Sequence, residues 1–293
     1  MIRHYRIHEV SEYINWIYFF HAWGFQPRYT TIANIHGCDA CRALWLANFP
    51  EKERAKAAEA MQLFKEANRM LSTLDKHFQT HAVFRLMDAN SKNNDIWIEE
   101  TRFPFLRQQT AKEGEPFLCL SDFVRPSSSG IKDKIGLFAT TVDDGMKDLY
   151  PDDSYLQMMV QTLADRLAEA TAERLHKEVR KEIWGYAHNE NLDIPQLHRE
   201  EFQGIRPAVG YPSLPDQSVN FLLDEILNMK QIGIRLTENG MMIPHASVSG
   251  LMFAHPASRY FSVGKIDDHQ LNDYASRRGM SVDEMKKYLS ANL

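Results

Sequence analysis

The densest chemistry in this chain lies in Gln203-Gly204-Ile205-Arg206-Pro207-Ala208-Val209-Gly210-Tyr211-Pro212. Pro207 and Pro212 fix φ and remove two N–H donors. They also push the residues before them, Arg206 and Tyr211, toward extended conformations. Gly204 and Gly210 permit positive φ or close approach by a ligand. Arg206 sits between them with a planar fork that matches a carboxylate or phosphate bidentately. A stiff ribbon with free carbonyls and one aimed guanidinium suits a small, nucleoside-like ligand bearing a carboxylate. The same residues also suit a surface connection whose arginine is salt-bridged.

A second candidate is His36-Gly37-Cys38-Asp39-Ala40-Cys41. Cys-x-x-Cys serves as a redox pair or as half of a zinc site, and His36 adds a third possible ligand. No fourth is apparent, since Cys119 is remote in sequence. The strand–helix flank of a thioredoxin-like motif is missing too. Two half-buried small residues at a helix start are the expected reading, with no metal site.

The elements that must hold these residues are legible from periodicity. Residues 11–23 carry Tyr13, Ile14, Trp16, Ile17, Phe19 and Phe20, too dense for one amphipathic stripe, which predicts a buried turn or short helix. Asn15, the one small polar group in that run, suits a helix cap. From Pro50 to His77, apolar residues recur every three or four positions and predict a packing helix. Residues 81–100 read as a hairpin, turning over Asp88–Asn94. Ile135–Val142 reads as a strand.

The longest helical stretch is 152–184, on which Glu169 and Glu173 suit a solvated face. A short helix over 217–232 follows, then strands at 234–243, 247–253 and 260–264. Residues 267–289 read as two helical pieces broken at Gly279, with Ser281 and Glu284 placed as a capping box.

Composition narrows the classes. The 293 residues are 44% hydrophobic and 25% charged, ordinary for a globular chain with a sizeable core. A net charge of −5 argues against a general nucleic-acid surface. No apolar run reaches the roughly 18–20 residues that a membrane span needs, and no secretory signal is visible. Three cysteines give no even disulfide framework and fit a reducing cytosol, so a cytoplasmic protein is expected.

The ribbon resembles the hallmark Gly-Ile-Arg-Pro-Ala-x-Gly-Tyr-Pro of the C-terminal activation domain of cobalamin-dependent methionine synthase. Other stretches agree in order: Tyr13-Ile14-Asn15-Trp16, Leu106-Arg107-Gln108-Gln109-Thr110, Leu120-Ser121-Asp122-Phe123-Val124 and Trp184-Gly185-Tyr186-Ala187 with Asn189-Glu190-Asn191-Leu192. After the ribbon come Ala246-Ser247-Val248-Ser249-Gly250 with His255-Pro256, and Asp273-Tyr274-Ala275 with Arg278-Gly279-Met280-Ser281-Val282. The resemblance covers nearly all of residues 1–293 as a single unit, least well at about 30–56. It implies an α+β fold: a twisted, mainly antiparallel sheet flanked by helices, with S-adenosylmethionine along a concave face.

By the same resemblance, Arg206 takes the ligand carboxylate and backbone near Ala208 and Gly210 takes adenine edges. Tyr211 belongs to the hallmark. Tyr260 and Phe261 flank the sulfonium, where a cation–π contact contributes about 0.5–2 kcal/mol. Glu169 and Glu200 lie near the ligand.

Four positions depart from the family. Asn15 stands where the family has an aspartate that contacts the cationic part of the ligand, and so lacks a Coulomb attraction on the order of 1–4 kcal/mol. Phe261 replaces a second tyrosine. Pro215-Asp216-Gln217-Ser218 lacks the usual histidine, and Ile243-Pro244-His245 replaces Trp-Pro-Gly.

The role implied is a reactivation subunit of methionine synthase, a methyltransferase component without a complete active site of its own. It presents S-adenosylmethionine to oxidised cobalamin on a partner chain while a flavodoxin-type donor supplies an electron. Positioning of this kind needs no acid, base or nucleophile here. The alternative is a non-catalytic S-adenosylmethionine binder or sensor.

Overall fold

The computed structural model describes residues 1–293. The chain opens with β1 (Ile2–Arg6), α1 (Ile7–Ser11), α2 (Trp16–Ala22), α3 (Asp39–Ala47) and α4 (Glu51–Leu74). It continues through β2 (Gln79–Lys92), β3 (Asp95–Ile98), β4 (Thr101–Pro104), β5 (Asp133–Val142) and α5 (Ser154–Glu178). Then come α6 (Ile194–His198), α7 (Val219–Leu227), β6 (Arg235–Leu236), β7 (Met242–Ile243), β8 (Ser247–Met252), α8 (Asp268–Arg278) and α9 (Val282–Tyr288).

The main sheet is antiparallel throughout, in the order β4-β3-β2-β5-β8. The long β2 serves two partners along one edge: β1 pairs with Gln79–Val83 and β3 with Ala89–Lys92. Both faces of the sheet are covered. Ala82, Phe84, Phe138 and Met252 face a core built with α1, α2, α4 and α5. Val83, Leu137, Ala139 and Leu251 face a second core with α7. This two-sided burial explains why β5 is apolar nearly throughout rather than alternating. A third, smaller cluster holds α8 and α9.

α5 positions the site. Asp153 caps its first turn by accepting from the Leu156 N–H at 3.0 Å. Ala164, Ala168 and Ala172 let the helix lie close on the sheet, and the Thr140 hydroxyl donates to the Ala168 carbonyl at 2.9 Å. The helix ends in a π turn, Val179–Ile183, closed by the Trp184 N–H on the Val179 carbonyl at 2.9 Å.

The sequence reading differs from the structure at three places. Residues 234–243 are not one strand but a tight hairpin of β6 and β7, turned by the Gly240 N–H donating to the Thr237 carbonyl at 2.9 Å. The 81–100 hairpin turns only at Asn93-Asn94, because Ala89 and Ser91 still pack inward, Asp88 and Ala89 stay paired with β5, and Ala89–Lys92 pairs with β3. Residues 260–264 form no strand. Their partners are the Ser213 hydroxyl, 3.0 Å from the Phe261 N–H, and the Pro212 carbonyl, 2.9 Å from the Val263 N–H, not a neighbouring ladder.

Candidate functional site

The ribbon is the edge of the main sheet. Ile205 exchanges hydrogen bonds with Phe253 at 3.1 and 2.9 Å. The Leu251 N–H donates to the Pro207 carbonyl at 3.1 Å, and the Val209 N–H to the Ser249 carbonyl at 2.9 Å. Residues 205, 207 and 209 therefore pair with β8. Alternation then turns the backbone groups of Arg206 and Ala208 the other way. Pro207 fits because only its carbonyl is needed in the ladder.

Two glycines make the approach possible. A Cβ on Gly250 would lie 2.2 Å from the Pro207 carbonyl oxygen, and one on Gly204 (φ +92°) 2.3 Å from the Phe253 oxygen. Beyond the ribbon the chain turns at Tyr211–Leu214, with the Gly210 N–H donating to the Leu214 carbonyl at 2.8 Å.

A groove of about 660 Å³ runs between this ribbon and α5. That is mid-range for a small-molecule site. Arg206, Pro207, Ala208 and Tyr211 form one wall, and Arg166, Glu169, Ala170 and Glu173 the opposite wall. The turn before α2 supplies Tyr13 and Asn15, α2 supplies Tyr18, and α6 with the residues after it supplies Leu197, His198 and Glu200. Tyr260 and Phe261 close one end, and Phe138 and Val248 of the sheet form the floor. His198 ties two walls together, its Nε2 lying 3.0 Å from the Tyr13 carbonyl.

The structure thus gathers Asn15, Glu169, Glu200, Arg206, Ala208, Tyr211, Tyr260 and Phe261 around one groove. Gly210 shapes the turn and does not line it. His245 is 86% exposed outside the groove, beside Asp165 at 3.7 Å. Asn15 caps α2, its side-chain oxygen accepting from the Ile17 N–H at 3.1 Å.

Electrostatically the groove is a set of pairs. Glu173, read from the sequence as solvated, is only 5% exposed and grips the Arg206 guanidinium with both carboxylate oxygens. Burial works to lower the Arg206 pKa, but the Glu173 charge and hydrogen bonds outweigh it and hold the pKa raised. Arg206 Nη1 also meets His176 Nδ1 at 3.3 Å, which makes Nδ1 the acceptor on a neutral ring. His176 is fully buried, and that burial, with Arg180 and Arg206 nearby, drives its pKa well below the usual imidazole value.

Arg166 pairs with Glu169 at 2.8 Å, and Glu169 accepts from the Tyr211 hydroxyl at 3.1 Å. Burial pushes the Tyr211 pKa up to about 12, and Glu169 adds to it. The Tyr260 hydroxyl accepts from the Arg206 backbone N–H at 3.0 Å. Glu200 is the remaining acid. Its φ of +59° is uncommon outside glycine, and burial raises its pKa. With Glu169 and Glu173 already matched by arginines, Glu200 supplies the net negative charge available to a cationic group.

Sequence reasoning missed Glu173, His176 and Arg166. The signal was present: positions 166, 169, 173 and 176 fall on one helical stripe. Nothing local says that this stripe faces the ribbon rather than water.

A groove walled by backbone edges, a braced arginine, acids and tyrosines fits a polar, nucleoside-sized zwitterion better than a lipid or nucleic acid. A crystal structure titled as the MetH reactivation domain bound to AdoHcy is 40% identical to this chain, with a TM-score of 0.89, and the match covers 100% of this chain and 90% of that one. Residues 6–279 match the family described as vitamin B12 dependent methionine synthase, activation domain, and the chain belongs to that family.

Proposed function

We propose that the groove binds S-adenosylmethionine and that the protein supports reductive methylation of oxidised cobalamin held by a methionine synthase partner chain, with a flavodoxin-type electron donor. The cytoplasm is where this partnership is proposed to operate. One observation carries the reading. The residues gathered between the ribbon and α5 form a nucleoside-sized groove in a chain whose 40%-identical neighbour holds AdoHcy.

In this reading the outward edge at Ala208 meets adenine. The solvent-facing side of the Arg206 guanidinium takes the ligand carboxylate while Glu173 holds the other side. Glu200 and Glu169 set the potential for the ammonium and sulfonium, and Tyr260 and Phe261 offer aromatic faces to the sulfonium. The bound cofactor supplies the methyl group. This chain's residues bind and orient it and exclude water, which is an entropy-trap contribution.

Calorimetric titration with S-adenosylmethionine, with Arg206→Ala alongside, tests the binding. Rescue of turnover in a synthase lacking its activation domain tests the role. Binding without rescue at any protein concentration would favour the second reading, a non-catalytic binder or sensor. That reading is supported by Asn15, which has no charge and spends its side-chain oxygen on the α2 cap.

A further inference from the structure

We infer that His36, Cys38 and Cys41 form a three-donor site for a thiophilic divalent cation of the zinc type, with its fourth coordination position open to solvent. The site lies outside the groove, and none of the three residues lines it.

The geometry carries the inference. Cys38 is the N-cap of α3, and Cys41 is the third residue of the helix, so both sulfurs lie on the same side of its first turn. The Cys41 N–H donates to Cys38 Sγ at 3.3 Å, a bond of the outer-shell kind that orients a thiolate ligand. Ile35 is extended (φ −94°, ψ 153°) and carries His36 toward the pair.

As a result one nitrogen of His36 and the two sulfurs all lie within 4.8 Å of one another. Tetrahedral zinc, with bonds of about 2.3 Å to sulfur, sets its ligand sulfurs about 3.8 Å apart. The largest separation here therefore needs to shorten by only about 1 Å, within the reach of side-chain rotation. All three cysteines are free thiols, Cys38 is exposed and Cys41 half-buried, so an ion has a path in.

The site also has something to hold. Trp45 is the one buried residue of α3, anchored by Nε1 donating to the Thr31 hydroxyl at 2.9 Å and by an edge contact on Phe49. An ion would tie the preceding loop to the other end of that helix. Two thiolates and an imidazole select zinc-like ions over magnesium or calcium, which prefer oxygen.

The test is titration of the reduced, metal-stripped full-length chain with Co²⁺, followed by displacement with Zn²⁺. The expected result is one equivalent of cobalt, with thiolate-to-metal charge-transfer and tetrahedral ligand-field bands that Zn²⁺ abolishes. Outer-shell changes alone weaken metal sites about 10–100-fold, so Cys38→Ser and Cys41→Ser should each weaken binding by about 100-fold or more. His36→Asn should shift the ligand-field bands, and Cys119→Ala should change nothing. His36 and Cys38 are exposed and Cys41 half-buried, whereas Cys119 is buried, and circular dichroism checks that all the variants remain folded. Absence of charge-transfer bands in a protein that titrates with its thiols free overturns the site. So does cobalt binding retained in a Cys38→Ser/Cys41→Ser double variant.

Discussion

Replacing Arg206 with methionine separates two jobs that the structure assigns to one guanidinium. The first is structural. Glu173 is 6% exposed by side chain and Arg206 19%, so the pair is largely shielded from solvent. At contact and an effective dielectric of 20 the attraction is about 4 kcal/mol. Breaking a buried pair from one side, which leaves the partner's charge stranded, costs about 3–5 kcal/mol. Arg206→Met should therefore lower Tm by about 5–8 °C in a chain of this size. The double variant Arg206→Met/Glu173→Met strands no charge and should recover most of that loss, because replacing both partners with apolar groups is often near neutral.

The second job is binding. A charge-assisted hydrogen bond to a ligand carboxylate contributes about 1.5–3 kcal/mol, or roughly tenfold to hundredfold in affinity. Arg206→Met should lose that factor, and the double variant should not regain it. With Glu173→Met as the fourth protein, thermal unfolding and calorimetric titration of S-adenosylmethionine on wild type and the three variants complete the cycle. Additive Tm losses would refute the pairing argument. Affinity restored together with stability would show that Arg206 only braces the helix.

Three further expectations follow from the same geometry. Glu200→Gln and Glu169→Gln should weaken S-adenosylmethionine more than S-adenosylhomocysteine, which lacks the sulfonium charge; equal losses for the two ligands by calorimetry would remove the electrostatic role. The folded-state pKa of His176 is depressed, so as pH falls below about 6.5 the unfolded chain takes up the proton first and stability declines by up to about 1.4 kcal/mol per pH unit. Unfolding midpoints against pH should show that decline, His176→Gln should flatten it, and an identical slope in the variant would count against the assignment. Gly250→Ala should press a methyl against the Pro207 carbonyl, loosen the ribbon from β8 and destabilise by about 1–3 kcal/mol with weaker ligand binding; a variant with wild-type Tm and affinity would contradict the close approach.

The sequence by itself determined a good deal. The density of apolar residues marked α4, α5 and β5, because burial imposes a period of 3.6 or 2 on any element with an inner face. The prolines and glycines of 203–212 determined a stiff ribbon, because their φ preferences are local properties. Order and spacing of the hallmark segments determined the family.

Tertiary structure decided the rest. Glu173 and Glu169 share a helical stripe, yet one is buried against Arg206 and the other half-exposed beside Arg166, since periodicity names a face but not what it meets. Residues 260–264 have strand composition without a strand partner, because pairing is non-local and Ser213 and Pro212 took the hydrogen bonds. Whether the ribbon was a surface connection or a sheet edge depended on two glycines 46 positions apart, Gly204 and Gly250, leaving room for backbones to touch. Contacts between segments distant in sequence assemble the groove, and no local preference records them.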